Sequence, residues 1–299
     1  MNTVVDFLTG PWDHVFMRRA FLVAAMSGIV AGVVGTHVVL RGMAFIGDAV
    51  AHSVFPGVAV AFVLHADLVV GGAIAGLATA FAVAVFSQNR RLSEDSVIGV
   101  FFAGAFGLGI VVLSSAPGYS GSLESFLFGQ ILGISDGDVR QVAVVGAVLL
   151  IATLAVHKEL VAVTLDRESA RAAGLPVFAL DLVLYALVTV TVVISLQAVG
   201  NVLVLALLIT PATCARLLTD RIGVMMLLAP TIGAGSSVVG LYLSYEFDLA
   251  AGGLIVLVST GVFILVWLFA PRHGLWARTR LRLRHRTAPA DKPLPAPAG

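Results

Sequence analysis

The sequence has 299 residues, of which 59% are apolar and 12% charged, and its formal net charge is +1. Soluble domains average about 45–50% apolar and about 25% charged residues, so this composition excludes an ordinary soluble protein. The single cysteine, Cys214, excludes a disulfide framework and a cysteine-based metal cluster. The near-zero net charge carries no information about partners, and we expect no nucleic-acid partner.

Long apolar segments dominate the chain. A helix needs about 20 apolar residues to cross a bilayer. Nine segments approach that length: 20–40, 43–64, 68–86, 96–115, 139–157, 177–197, 201–218, 222–243 and 249–270. We therefore predict an all-α, polytopic membrane protein with about eight or nine transmembrane helices. The stretch 122–134 is too short to span and is predicted to be an interfacial or re-entrant helix.

Domain boundaries follow from these segments. We expect an N-terminal segment at 1–19, a transmembrane domain at 20–271, and a basic, Pro/Ala-rich cytoplasmic tail at 272–299. The first apolar run follows Arg18 and Arg19 without a small-residue cleavage site, so no cleavable signal peptide is predicted.

Orientation is predicted from the loop charges. Basic residues occupy the loops 87–95 and 157–176 and the tail 271–286, whereas the intervening loops are acidic or neutral. The positive-inside rule then places these basic segments and the C-terminus in the cytoplasm. Nine spans put the N-terminus outside; if 43–64 does not cross fully, eight spans put it inside, and the sequence leaves both open.

An acid and a histidine interrupt one apolar segment. Asp48 and His52 are four residues apart in "FIGDAVAHSVFPG", so on a helix they share a face. An ionisable group in a bilayer costs at least about 2.5–3.5 kcal/mol and is tolerated beside a partner or an aqueous path. A carboxylate and an imidazole suit a divalent transition metal. The alternative is a buried hydrogen bond that packs helices.

Other polar residues are weaker candidates for a role in transport. His37 is a lone histidine on an apolar run and is expected to be a packing residue. Thr210 and Pro211 interrupt an apolar helix, which suits either a gate or a tolerated bend. Three acids are possible outer-loop contacts or ordinary solvated charges: Glu124, Glu246 and Asp248. The pairs Gly28–Gly32 and Gly72–Gly76 indicate close helix packing.

One charged segment lies between two spans. "LDRESARAAGLP" (165–176) is capable of forming a helix, with Asp166 as a natural N-cap and Gly174 and Pro176 as terminators. A compact helix on the cytoplasmic side could dock into a groove of a soluble partner or lie on the membrane surface. The chain carries no Walker A, G-x-S-x-G or H-E-x-x-H pattern, so any ATPase must be another chain.

Six blocks in order resemble one known family. The chain resembles the membrane permeases of ABC importers for zinc and manganese, the ABC-3 family. The resemblance covers about residues 15–270, and its blocks are 38–64, 93–114, 123–135, 165–177, 199–218 and 240–258. "VVLRGMAFIGDAVAHSVFPGVAVAFVL" is similar to the family's most recognisable segment, and His37 departs from the usual apolar residue just before it.

The resemblance implies a function. The chain would be a type II ABC-importer-like permease, a transport subunit and not an enzyme, in the cell membrane. Two copies would pair with two cytoplasmic ATPase subunits and receive Zn²⁺, Mn²⁺ or Fe²⁺ from an extracytoplasmic binding protein, with no permanently bound cofactor and with lipid around it. Asp48 and His52 would contact the metal. The ATPase-docking helix would comprise Asp166, Arg167, Glu168, Ser169, Ala170, Arg171, Ala172, Ala173 and Gly174.

Two alternatives remain at this stage. A permease for a metal chelate, such as a siderophore or haem, would need a wide channel without direct ligands. A proton-coupled secondary transporter would use Asp48 as a proton relay and would work without an ATPase. A membrane enzyme fits less well, because only Asp48 and His52 could act as paired catalytic groups.

Overall fold

The computed structural model describes residues 10–89, 91–114 and 133–270, and the ordered elements in these ranges are helices. Nine are long: α1 (Val15–Leu40), α2 (Ile46–Val63), α3 (Leu68–Phe86), α4 (Glu94–Ser114), α5 (Asp136–Ala155), α8 (Val177–Val199), α9 (Asn201–Leu218), α10 (Ile222–Phe247) and α11 (Ala251–Phe269). Two short helices, α6 (His157–Leu165) and α7 (Arg167–Ala172), join α5 to α8.

The long helices coincide with the nine predicted apolar segments. Eight of them are long and apolar enough to cross a membrane, while α9 has a shorter apolar stretch, Leu203–Leu218. The segment 43–64, which we considered as an incomplete span, forms the 18-residue α2, about 27 Å long at 1.5 Å per residue. Residues 122–132 of the predicted helix at 122–134, and the whole tail at 272–299, lie outside the described residues.

Helix α1 lies at the centre of the bundle and packs against α5, α8, α9 and α10, while α2 packs against α3, α4 and α8. Glycines allow the closest approaches. A Cβ at Gly28 would lie 2.8 Å from the Gly233 backbone, and one at Gly32 would lie 2.7 Å from Pro230. A Cβ at Gly72 would lie 2.7 Å from the Val54 side chain, and one at Gly76 would lie 2.9 Å from the Thr189 side chain. The predicted role of these glycines in helix packing is therefore confirmed.

Charged residues mark one end of the bundle, which we call the arginine end. There Arg41, at the C-terminus of α1, and Arg167, on α7, both contact Asp181 of α8, and Arg167 also contacts Glu94 of α4. The start of α4, the segment between α5 and α8, and the C-terminus of α1 therefore lie together at this end of the bundle.

The opposite end contains the start of α1. Arg19 forms a 2.6 Å ion pair with Asp136, the first residue of α5, and the Trp12 indole donates a hydrogen bond to the Tyr242 hydroxyl near the end of α10. Helix α1 thus runs the full length of the bundle, as the nine-span arrangement requires. The ion pair gives Arg19 a partner at an end where a lone arginine would be unexpected.

Candidate metal site

Asp48 and His52 occupy the first two turns of α2. The Nε2 atom of His52 lies 3.4 Å from Oδ1 of Asp48, and the two side chains are 19% and 34% exposed respectively. Two ligand atoms, each about 2.1 Å from a tetrahedral metal, lie about 3.4 Å apart. The pair therefore has the spacing of two ligands to one metal, as well as that of a charge-assisted contact.

Two phenylalanines on the neighbouring helix α4 flank the imidazole of His52. Phe102 and Phe106 make T-shaped contacts with it, with ring centroids 5.0 Å and 5.2 Å away and nearly perpendicular ring planes. The two phenyl rings lie on one face of α4, since residues four apart share a helix face, and their planes are parallel. Our sequence analysis missed both residues; their i,i+4 spacing was the available signal.

One chain offers two candidate ligands at this place. Among the described residues, no group of three or more His, Cys, Asp or Glu side chains is arranged to hold a metal. The pair is also only partly covered by its own chain. The exposed side of the pair is therefore open to groups from outside this chain.

His37, which we expected to be a packing residue, has a second histidine beside it in the structure. It is fully buried, and its Nε2 atom lies 3.3 Å from Nδ1 of His157 at the start of α6. Its own Nδ1 has no hydrogen-bond partner among the described residues. The contact links α1 to the short helices at the arginine end and not to the Asp48/His52 pair.

The charged segment between α5 and α8 forms the predicted short helix. Asp166 caps α7: its side chain accepts hydrogen bonds from the backbone of Glu168 and Ser169 and from the Ser169 hydroxyl. The hydrogen bonds from Ser169, then that from Glu168, lower the pKa of Asp166. The Asp166 carboxylate is therefore charged, and caps α7, at any pH above the usual pKa of an aspartate. The charged cap is lost only when the pH falls below that pKa.

The residues of this segment face two directions. Ala170 is buried, and the guanidinium of Arg167 turns into the bundle. Its burial would lower the pKa of Arg167, but the negative charges of Asp181 and Glu94 outweigh that effect and raise it. The remaining predicted docking residues are exposed, and so is the preceding Leu165, at 75%.

The other candidates lie far from the Asp48/His52 pair in the sequence. Thr210 and Pro211 lie inside α9, which continues past Pro211 to Leu218. Glu246 and Asp248 are exposed at the end of α10, opposite the arginine end, and Asp248 ends that helix in a left-handed conformation at φ 52°. Glu124 lies outside the described residues.

A bundle with eight helices that are long and apolar enough to cross a membrane defines a class, the polytopic membrane proteins. The sequence profile of the ABC 3 transport family matches residues 13–270. The chain belongs to this family and is a transport subunit, as the resemblance in the sequence had indicated.

Individual relatives agree with this assignment. The chain is 38% identical over 278 residues to the manganese transport system membrane protein MntC of Halalkalibacterium halodurans, which covers 93% of this chain and 95% of MntC. It is 38% identical over 285 residues to the chelated iron transport system membrane protein YfeC of Yersinia pestis, covering 94% and 97% of the two chains. The solved structure of PsaBC from Streptococcus pneumoniae in complex with Fab matches with a TM-score of 0.81 and 35% identity, covering 94% of this chain and all of the matched chain.

Proposed function

We propose that this permease imports a divalent transition metal ion through a path lined by Asp48 and His52, with Mn²⁺ as the first cargo to test. The observation that carries the proposal is the 3.4 Å separation of Oδ1 and Nε2. Oxygen and imidazole nitrogen ligands suit Mn²⁺, Fe²⁺ and Zn²⁺ alike. The relatives named for manganese favour Mn²⁺.

A second copy of the chain would complete the site. A single chain offers two ligands that are partly exposed. Two copies around a two-fold axis would place two such pairs beside one path and offer up to four ligands. A shell built from two movable halves binds the ion while the halves are close and releases it when they separate, as transport requires.

The arginine end is proposed to face the cytoplasm and to receive the ATPase subunits. The exposed side of α7 offers Glu168, Arg171 and Ala172 beside Leu165, a mixture of charged and apolar contacts suited to a groove in a soluble partner. The opposite end, with Glu246 and Asp248, would receive the extracytoplasmic binding protein. ATP binding would rock the two copies and expose Asp48 and His52 to each side in turn, with Thr210 and Pro211 as a possible gate.

The test is metal uptake in cells that lack their own high-affinity metal importers. This chain would be expressed with its ATPase and binding protein, and labelled Mn²⁺, Zn²⁺ and Fe²⁺ would be supplied separately. We expect Asp48→Asn and His52→Gln each to reduce uptake of one metal by about tenfold or more, because each change removes a ligand. His65→Gln is the matched control, since this exposed histidine lies beyond the far end of α2.

The outcomes separate the candidate functions. Uptake that survives both changes, with the protein present in the membrane, would reduce the pair to a structural contact. Loss of free-metal uptake together with retained uptake of a metal siderophore or haem would favour the chelate alternative. Uptake without the ATPase would indicate a secondary transporter.

A further inference from the structure

We propose that Arg41, Asp181, Arg167 and Glu94 form a coupling network that transmits movement of the docking helix α7 to the two helices that build the metal site. The proposal rests on the function proposed above and adds a route by which ATPase motion reaches Asp48 and His52.

Asp181 lies at the centre of this network, because both arginines contact it. Its two carboxylate oxygens accept from different arginines: Oδ1 from Nη1 of Arg41 at 2.6 Å, and Oδ2 from Nη2 of Arg167. The side chains of Asp181 and Arg41 are only 2% and 4% exposed. Because burial removes the screening of water, neither charge is stable without its partner. The contacts therefore favour a single arrangement of the elements that they join.

Arg167 connects α7 to Asp181. Its Nη2 atom contacts Asp181, and its Nη1 atom donates to Oε1 of Glu94 at 2.5 Å. The pair of arginines is balanced by the pair of carboxylates, so the network is neutral as a whole. Helix α7 has only six residues, and Arg167 gives it a charged connection to both α8 and α4.

The network leads to both halves of the metal site. Arg41 caps the C-terminus of α1 and begins the turn that enters α2, where Asp48 follows seven residues later. Glu94 is the first residue of α4, and Phe102 lies eight residues further on, about 12 Å along the helix. Displacement of α7 would therefore be conveyed to the ligands on α2 and to the aromatic rings that hold His52.

The variant that tests this network is Asp181→Asn. Asp181 belongs neither to the exposed docking surface nor to the metal pair, and asparagine keeps its size while removing the charge shared by the two arginines. The control is Lys158→Gln, which removes one exposed charge at the same end without breaking a described contact. Both would be measured in vesicles containing the complete complex with its ATPase and binding protein.

The readout is the ratio of metal transported to ATP hydrolysed, which a purely structural role would not change. We expect ATP hydrolysis by Asp181→Asn to stay near the wild-type rate while the ratio falls by about tenfold, a typical coupling effect. The ratio for Lys158→Gln should match the wild type. Transport and hydrolysis that fall in proportion, or that both stay unchanged, would overturn the proposal. If the Asp181→Asn complex does not assemble, Glu94→Gln replaces it, because Glu94 lies at the partly exposed edge of the network. The same ratio of metal transported to ATP hydrolysed then tests the proposal.

A distance measurement separates this proposal from the question of cargo. Spin labels at Phe45→Cys, in the exposed turn before α2, would be placed in both copies of the Cys214→Ala protein. We expect ATP to change the distance between the labels in the otherwise unaltered complex but not with Asp181→Asn. An ATP-driven change that persists in Asp181→Asn would overturn the network. The complex without Asp181→Asn could show the ATP-driven distance change and yet transport no metal. If Asp181→Asn then abolishes that distance change, the network is supported and the proposed function is contradicted.

Discussion

At the scale of single residues, Phe102 and Phe106 belong to the proposed metal site together with Asp48 and His52. Phe102 and Phe106 restrict the imidazole from the α4 side, and groups that orient a metal ligand typically change affinity by about 10–100-fold when removed. If Asp48 and His52 contact the metal as proposed, these two rings would help to hold Nε2 of His52 toward Asp48.

We expect Phe102→Ala to lower metal uptake by about tenfold, since the imidazole then gains freedom to turn away from Asp48. Phe101→Ala is the matched control, because the Phe101 ring pairs with Phe86, on α3. Uptake of labelled metal, normalised to the amount of protein in the membrane, checks the comparison. An equal loss in both variants would indicate general damage to α4 and no particular role for Phe102.

Local spacing made part of the site predictable. Asp48 and His52 are close because an α-helix brings residues four apart together, and Asp166 caps α7 because its side chain reaches its near neighbours in sequence. The partners of His37 and Arg41 are 120 and 140 residues away. No local period encodes such contacts; they depend on how the helices pack.

At the scale of elements, hydrophobic length predicted the helices well. The nine apolar segments became nine helices, with boundaries shifted mainly where polar residues extend a helix beyond its apolar part. Helix α5 begins at Asp136 because Ser135 and Asp138 form a capping box, three residues before the predicted apolar run. The close contact of α1 with α10 was visible only as a Gly28–Gly32 spacing, which does not identify the partner helix.

That contact makes a sharp prediction with two glycines of one helix. A Cβ at Gly233 would lie 2.6 Å from the carbonyl oxygen of Gly28, whereas one at Gly235 meets nothing within 4 Å. Gly233→Ala should destabilise the protein by about 1–3 kcal/mol, because helix backbones must separate. Gly235→Ala should be neutral or stabilising by up to about 1 kcal/mol through helix propensity. Thermal unfolding in detergent measures both, and equal midpoints would contradict this packing.

At the scale of the whole molecule, the two ends differ in charge and in how they are held together. The arginine end is joined by two ion pairs to the buried Asp181. The opposite end combines an exposed ion pair with aromatic contacts such as that of Phe21 with Tyr242. Loop charges predicted which segments share an end. They could not resolve the direction of α1, because Arg19 lies at the end opposite the other basic segments and its partner Asp136 is distant in sequence.

The path of α1 predicts the side of the membrane that each end faces. If Arg41 and Arg167 lie in the cytoplasm, as the positive-inside rule favours, then Lys158, on α6, lies there too and Asp13, just before α1, lies outside. In the Cys214→Ala protein, a membrane-impermeant thiol reagent should label Asp13→Cys in intact cells and Lys158→Cys only after permeabilisation. Labelling of Lys158→Cys in intact cells would invert the orientation and move the proposed ATPase surface outside. Protection of both would mean that α1 fails to cross, and would contradict the contact between Arg19 and Asp136 at the outer end.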